Sequence, residues 1–152
     1  STWLGNKSIY RTRMAMADDG ELIVLAPGLI EFGEDKEIDR LIRKYGYCGT
    51  KATLDGVKNH DELKNNLSAA AHLIHGSSDG RFSIRYCPGK GPKNLSREEI
   101  ESVGFDWGDI DEYTSKYKPS ALTNGFNISN NEEIFFIDNP ALGLWSSKDR
   151  FE

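Results

Sequence analysis

A nearly continuous apolar run, within the stretch ELIVLAPG from Glu21 to Gly28, is the feature that most constrains the fold of this chain. Pro27 and Gly28 end the run at once. A strand that is apolar at successive positions is buried on both faces, as in a parallel sheet covered by helices on either side. The run therefore predicts a buried strand in a layered α/β structure.

Helical and strand patterns alternate after this run. Glu34 to Tyr45 is amphipathic, with acids at its start, Arg43 and Lys44 near its end, and Gly46 after it. Further helices are predicted at 50–58, 61–74, 96–102 and 109–117, and further strands at RFSIRYC, VGF and EIFFID. The alternation predicts one domain, residues 1–152, of the α/β class. Its expected architecture is a three-layer, mainly parallel sheet flanked by helices, of the Rossmann-like kind.

Composition excludes several function classes. The net charge of −5 and the lack of a long basic stripe argue against non-specific binding of nucleic acid. No apolar run reaches the roughly 20 residues of a membrane span, and no secretion leader opens the sequence. Cys48 and Cys87 are far apart, which favours two reduced thiols over a disulfide and hence a cytoplasmic protein. A first residue other than Met suggests a piece of a longer chain.

Three cations, Lys7, Arg11 and Arg13, lie just before the first strand in the stretch NKSIYRTRMAM. A helix over about 8–17, with Asn6 as N-cap, would place Arg13 among apolar Ile9 and Met16 and turn Arg11 to the opposite side. A guanidinium on an apolar surface needs an anion or carbonyl groups. Arg13 is therefore a candidate ligand contact, with a structural ion pair or a snorkelling side chain as alternatives.

His72 and His75 form a second candidate site. In a helix over 61–75 they lie with Lys64 and Ser68 on one polar flank beside an apolar stripe that includes Leu67. The two histidines could line a polar pocket, share a ligand, or simply face solvent. No third residue with suitable spacing accompanies them, so we predict no metal site here.

Loops rich in Pro and Gly follow the predicted strands, in APGLIEFGED, CPGKGPKN and DNPALG. Ligands of open parallel sheets bind beyond the carboxyl ends of the strands. The sequence contains no complete catalytic set. The acids of EFGEDKEID suit a helix start, Ser77 and Ser78 lack the nucleophile-elbow pattern, and Cys87 before Pro88 suits packing at a strand end.

Long segments carry a resemblance to a known family: GNKSIYRTRMAMADDGELIVLAPGLIEFGEDKEIDRLIRKYGY, NLSAAAHLIHGSSDGRFSIRYCPG and LSREEIESVGF. Together they resemble the C-terminal domain of the lactate-racemase-like family of nickel-pincer-dependent racemases and epimerases. The sequence is most similar to the branch named D-mannonate epimerase or oxidoreductase. The resemblance spans about residues 3–145.

The resemblance implies that a larger N-terminal domain, absent from this chain, carries the cofactor, the nickel-ligating histidine and the acid/base histidines. The C-terminal domain then closes over the site and contacts the substrate carboxylate through a Tyr-Gln-x-x-Lys pattern. Here Tyr10 matches, Arg11 replaces the glutamine, and Met14 stands at the lysine position with Arg13 one residue earlier. A guanidinium retains the bidentate grip on a carboxylate that such a site requires.

We therefore expect the substrate-closing domain of a racemase or epimerase of 2-hydroxy acids, such as the sugar acid mannonate. This fragment alone would be inactive, with no catalytic residue, metal ligand or cofactor of its own, and the nickel-pincer nucleotide would belong to the full-length protein. The expected substrate contacts are Arg13, Arg11, Lys7, Tyr10, His75 and His72. The expected partners are the N-terminal domain and the sugar acid. The alternative is a non-catalytic small-molecule-binding or interaction domain.

Overall fold

The computed structural model describes residues 1, 2, 6, 9, 16 and 18–138. It has an α/β architecture, which confirms the predicted fold class. Its strands and helices, in chain order, are β1 (Glu21–Ala26), α1 (Lys36–Tyr45), α2 (Thr50–Asn59), α3 (Asp61–Lys64), α4 (Leu67–His75), β2 (Ser83–Pro88), α5 (Arg97–Ser102), β3 (Asp106–Trp107), α6 (Ile110–Tyr117), β4 (Gly125–Ser129) and β5 (Glu132–Phe136). A short 3₁₀ turn, Pro119–Ala121, follows α6.

The central sheet is parallel, with strand order β1-β2-β3. Leu22 pairs in register with Ile84, and Val24 with Tyr86, so these four side chains share one face of the sheet. They pack into the main core with residues of α1, α4 and α5, namely Ile38, Leu41, Ile42, Ala69, Leu73 and Ile100. Burial of each large aliphatic side chain contributes about 1.5–3 kcal/mol to folding.

Helix α6 covers the opposite face of the sheet. Arg85 and Cys87 point to this side, and the Arg85 guanidinium lies 5.8 Å from the centre of the Tyr113 ring of α6. A side chain at Gly108 would collide with Cys87, Arg85 and Tyr113 together, which shows how closely the helix approaches. Helices on both faces give the predicted three layers.

Sequence patterns at the helix ends match the structure. Asp35 caps α1 by accepting from Ile38 N, and Ser96 and Glu99 form a capping box at the start of α5. Each such cap contributes about 1 kcal/mol.

The prediction of a single helix over 61–74 is wrong, because the helix is interrupted at Asn65 and Asn66. The Asn66 side chain accepts from Ala69 N and starts α4 anew. The break shifts the helical phase, so that Leu67, expected in the core, is 63% exposed and His72 is 3% exposed. The apolar stripe expected from one continuous helix therefore does not form.

Two further differences concern strands. A strand was predicted at VGF, but β3 begins at the residue after this stretch, at Asp106–Trp107. Most of EIFFID lies within β5, as predicted. β4 was not predicted from the sequence, and it pairs with β5 as a separate antiparallel hairpin. The predicted helix over 8–17 and the tail 139–152 lie mostly or wholly outside the described residues.

The two cysteines are free, as the sequence predicted. Cys48 is exposed, whereas Cys87 is buried on β2, where burial raises the pKa of its thiol to about 11. We expect an aromatic disulfide reagent at pH 8 to modify one thiol in the folded protein and the second at least about 100-fold more slowly, because the reactive thiolate is scarce and shielded. A Cys48→Ser variant should have no fast thiol. Two fast thiols in the native protein would contradict this prediction.

Candidate functional site

Four of the six predicted substrate contacts, Lys7, Tyr10, Arg11 and Arg13, lie outside the described residues. Four neighbours in the same segment, Thr2, Asn6, Ile9 and Met16, are described.

These four neighbours are attached to the domain at separate places. Thr2 N donates to Glu31 O at 3.0 Å, and Thr2 Oγ1 donates to Phe32 O at 2.6 Å. Ile9 is fully buried in the main core. Near β1, Arg81 Nη2 donates to Met16 O at 2.9 Å. The domain therefore contacts described residues that lie before, between and after the cations in the sequence.

Asn6 makes the most extensive of these attachments. Its Oδ1 accepts from Tyr86 Oη at 2.7 Å, and its Nδ2 donates to Tyr47 Oη and His72 Nε2, each at 3.1 Å. Tyr47 Oη lies 2.7 Å from His72 Nε2 and 3.0 Å from Thr2 Oγ1. We call Thr2, Asn6, Tyr47, His72 and Tyr86 the asparagine network. The predicted N-cap role of Asn6 is thus replaced by a tertiary one.

Burial keeps the asparagine network neutral. It lowers the pKa of His72 to about 4, with a smaller contribution from the charge of His75. It raises the pKa values of Tyr47 and Tyr86 above their usual range. Because the Asn6 amide donates to Nε2, that nitrogen acts as the acceptor of a neutral imidazole. At neutral pH these residues are uncharged hydrogen-bonding groups that hold Thr2 and Asn6 in place.

His72 and His75, expected on one flank, occupy different environments. His72 faces the interior of the domain, and His75, the last residue of α4, is exposed. The offset follows from the helix break at Asn66. Of the two, His75 is the one at the surface.

The loops beyond the carboxyl ends of the strands, where the sequence predicted a ligand, are cross-linked internally. Asn94 Nδ2 donates to Pro27 O at 2.9 Å and to Leu29 O at 3.1 Å. Lys90 Nζ forms ion pairs with Asp109 at 2.9 Å and with Asp111 at 2.7 Å. These contacts join the loops after β1, β2 and β3 to one another.

A concavity with a volume of about 1080 Å³ lies instead at the amino ends of β2 and β3. Connections far apart in sequence line it, including Cys48, Lys51, Leu54, Ser78, Asp79 and Asp106. Two residues of its lining are joined to each other: the Asp79 carboxylate accepts hydrogen bonds from Thr50 N at 2.7 Å and from Thr50 Oγ1 at 3.0 Å. Local sequence patterns did not signal this cleft; the only hint is the number of glycines and small polar residues in its loops.

Within the described part of the chain, no group of three or more His, Cys, Asp or Glu side chains is placed to hold a metal ion. No helix there has both the length and the apolar character needed to cross a membrane.

The parallel sheet with helices on both faces places the chain in the α/β class. No protein-family model and no curated protein matches it. The chain is similar in structure to a protein from Thermotoga maritima solved by crystallography, with a TM-score of 0.66 and 19% sequence identity over 92% of this chain. The match covers 32% of that protein, so this chain spans about a third of its length. At this identity the similarity shows a common fold.

Proposed function

We propose that this chain is the C-terminal, substrate-closing domain of a nickel-pincer-dependent racemase or epimerase of 2-hydroxy acids, with sugar acids such as mannonate as substrates. The proposal rests on the long segments that resemble the lactate-racemase-like family. The observation that best supports it is the attachment of Thr2, Asn6, Ile9 and Met16 to the domain, since these residues flank the cations. The two free thiols agree with a cytoplasmic location.

In the proposed mechanism the domain binds and orients the substrate. Arg13 pairs with the substrate carboxylate, assisted by Lys7 and Arg11, while Tyr10 and His75 contact hydroxyl groups. His72 acts from the interior by holding Asn6. The nickel-pincer nucleotide would be held by residues of the N-terminal domain, and when bound it would supply an acceptor for the hydride of the carbinol carbon. Closure of this domain excludes water from that carbon.

Substitution of Arg13 tests the substrate role. In the full-length protein, we expect Arg13→Gln to lower kcat/KM on aldonates at least about 30-fold, because a charged partner of the carboxylate is lost. Arg13→Lys should recover part of this loss. Lys36→Gln, at an exposed lysine at the start of α1 and outside the cleft, is the matched control and should leave kcat/KM unchanged.

One result would exclude the proposed reaction, and a second would exclude the assigned substrate contact. One is isomerisation of aldonates at equal rate with and without the pincer nucleotide. The other is wild-type kinetics in Arg13→Gln, which would remove the assigned carboxylate contact while leaving the reaction class open.

The cleft at the amino ends of β2 and β3 favours the second candidate function, a small-molecule-binding domain without catalysis. Its walls combine apolar Leu54 with Lys51, Asp55 and Ser78, a composition suited to a polar organic ligand. If the isolated chain binds such a ligand and Leu54→Arg abolishes binding, while aldonates neither bind nor react in the full-length protein, this alternative replaces the first.

A further inference from the structure

The β4–β5 hairpin presents an unusual apolar face. Phe126 is 73% exposed and Ile128 is 82% exposed. Phe126 pairs across the strands with Phe135, and Ile128 pairs with Glu133, so all four residues lie on the same face. Around Phe126, Ile128 and Glu133 this face forms a shallow concavity of about 310 Å³. We call it the hairpin face.

The turn of the hairpin and two contacts with α6 define its geometry. Asn130 and Asn131 form its two-residue turn with φ of 52° and 64°, the left-handed values that match the twist of a hairpin. Two contacts join it to α6: Tyr117 Oη donates to Glu132 Oε2 at 3.1 Å, and Asn130 Nδ2 donates to Lys116 O at 2.8 Å. The domain therefore presents the hairpin face in a fixed direction.

Among the residues that the structure describes, the other large exposed apolar side chains lie on separate elements or loops. Ile30, Leu54 and Leu67 are 49%, 49% and 63% exposed, and they lie on separate parts of the chain. Scattered residues of this kind are normal on a protein surface, whereas adjacent ones on a two-stranded ribbon mark an interaction site. A two-stranded ribbon that exposes apolar side chains such as Phe126 and Ile128 is also only marginally stable in water.

We propose that the hairpin face docks onto the remaining part of a longer polypeptide, through an apolar surface with a Lys or Arg at its edge. The inference rests on the proposed function in one respect, namely that this chain is one domain of a larger protein. The similar Thermotoga maritima protein supports this, because roughly two thirds of its chain lies outside the match. The cation is expected opposite Glu133, which forms no ion pair with any described residue.

Charge also distinguishes this occupant from a second copy of the chain. A twofold contact between two hairpin faces would place the Glu133 carboxylates of both copies in the same interface. Like charges at an interface oppose association. A heterologous surface with a cation avoids this repulsion.

Thiol accessibility tests the proposal. In a Cys48→Ser background, Ile128→Cys should react with a maleimide rapidly in the 152-residue chain and at least about 10-fold more slowly in the full-length polypeptide. Leu67→Cys, another exposed apolar position, is the matched control and should react rapidly in both. Adding Phe126→Ser to Ile128→Cys should restore fast labelling in the full-length polypeptide.

Equal labelling of Ile128→Cys in the two forms would overturn the proposal. Slow labelling of the 152-residue chain would also overturn it. If that slow labelling depends on concentration, it assigns the face to a second copy; if it disappears when residues 139–152 are removed, it assigns the face to the end of the chain itself. Slow labelling of the full-length polypeptide without isomerase activity would support docking and refute the proposed function. Isomerase activity with fast labelling would support the proposed function and refute docking.

Discussion

Gly33→Ala is expected to destabilise the protein by about 3 kcal/mol or more, which is at the upper end of the cost of overpacking. A Cβ at Gly33 would lie 2.7 Å from Asp39 Cα and from Ile38 C, and still closer to Asp39 N. These are backbone atoms of α1 and cannot rotate away. The loop is also held in place, because Phe32 N and Gly33 N donate to Asp39 Oδ1 at 2.7 and 3.1 Å. Urea unfolding monitored by circular dichroism measures the change.

Gly28→Ala is the matched control for Gly33→Ala. A Cβ at Gly28 has no neighbour within 4 Å, so its effect on the free energy of unfolding should stay within about 0.5 kcal/mol. Similar unfolding midpoints for the two variants would show that the loop before α1 is not packed as described.

The second large effect is a dependence of stability on pH that arises from His72. Its pKa is about 4 in the folded protein against 6.5 for the free side chain, so between these values the unfolded chain binds a proton that the folded chain does not. The contribution of neutral His72 to the free energy of unfolding is fully present above pH 6.5 and is lost as pH falls to 4. The difference is about 3 kcal/mol, since one pKa unit corresponds to about 1.4 kcal/mol.

Paired denaturation curves isolate this contribution. His72→Gln retains a hydrogen-bonding group but cannot titrate, so its free energy of unfolding should change about 3 kcal/mol less than that of the wild type between pH 7 and pH 4. His60→Gln, at an exposed histidine, should keep the wild-type slope. The subtraction removes the carboxylates that titrate in the same range. Parallel curves for wild type and His72→Gln would mean that His72 is not buried as a neutral group.

The parts of the fold that sequence predicted well are those specified by local patterns. The apolar run of β1 marks a strand, but residues 22–26 are only partly buried and not buried on both faces as predicted, because β1 lies at the edge of the sheet. The stripe of Ile38, Leu41 and Ile42 reports burial directly. Ser96 marks the start of α5 by its side-chain chemistry. In each case the signal and the structure lie within a few residues of one another.

The missed features depend on contacts between distant residues. β4, with the sequence GFNIS, has a weak apolar pattern and is a strand because β5 pairs with it. Asn6 resembles an N-cap in sequence, but Tyr86, 80 positions later, is its hydrogen-bond partner. The cleft at the amino ends of the strands is formed by several connections, and no single one of them indicates it. The role of Lys7, Arg11 and Arg13 in substrate binding remains a prediction.

The asparagine network has a consequence for how this domain responds to its surroundings. Dissolved salt weakens attraction between ions at a surface, such as Arg40 with Glu37, but has little effect on uncharged groups sealed from water. The anchoring of Thr2 and Asn6 should therefore be nearly indifferent to ionic strength. If the cations between Asn6 and Met16 bind a carboxylate, as proposed, a rise in electrolyte concentration would weaken that attraction without loosening Thr2 and Asn6.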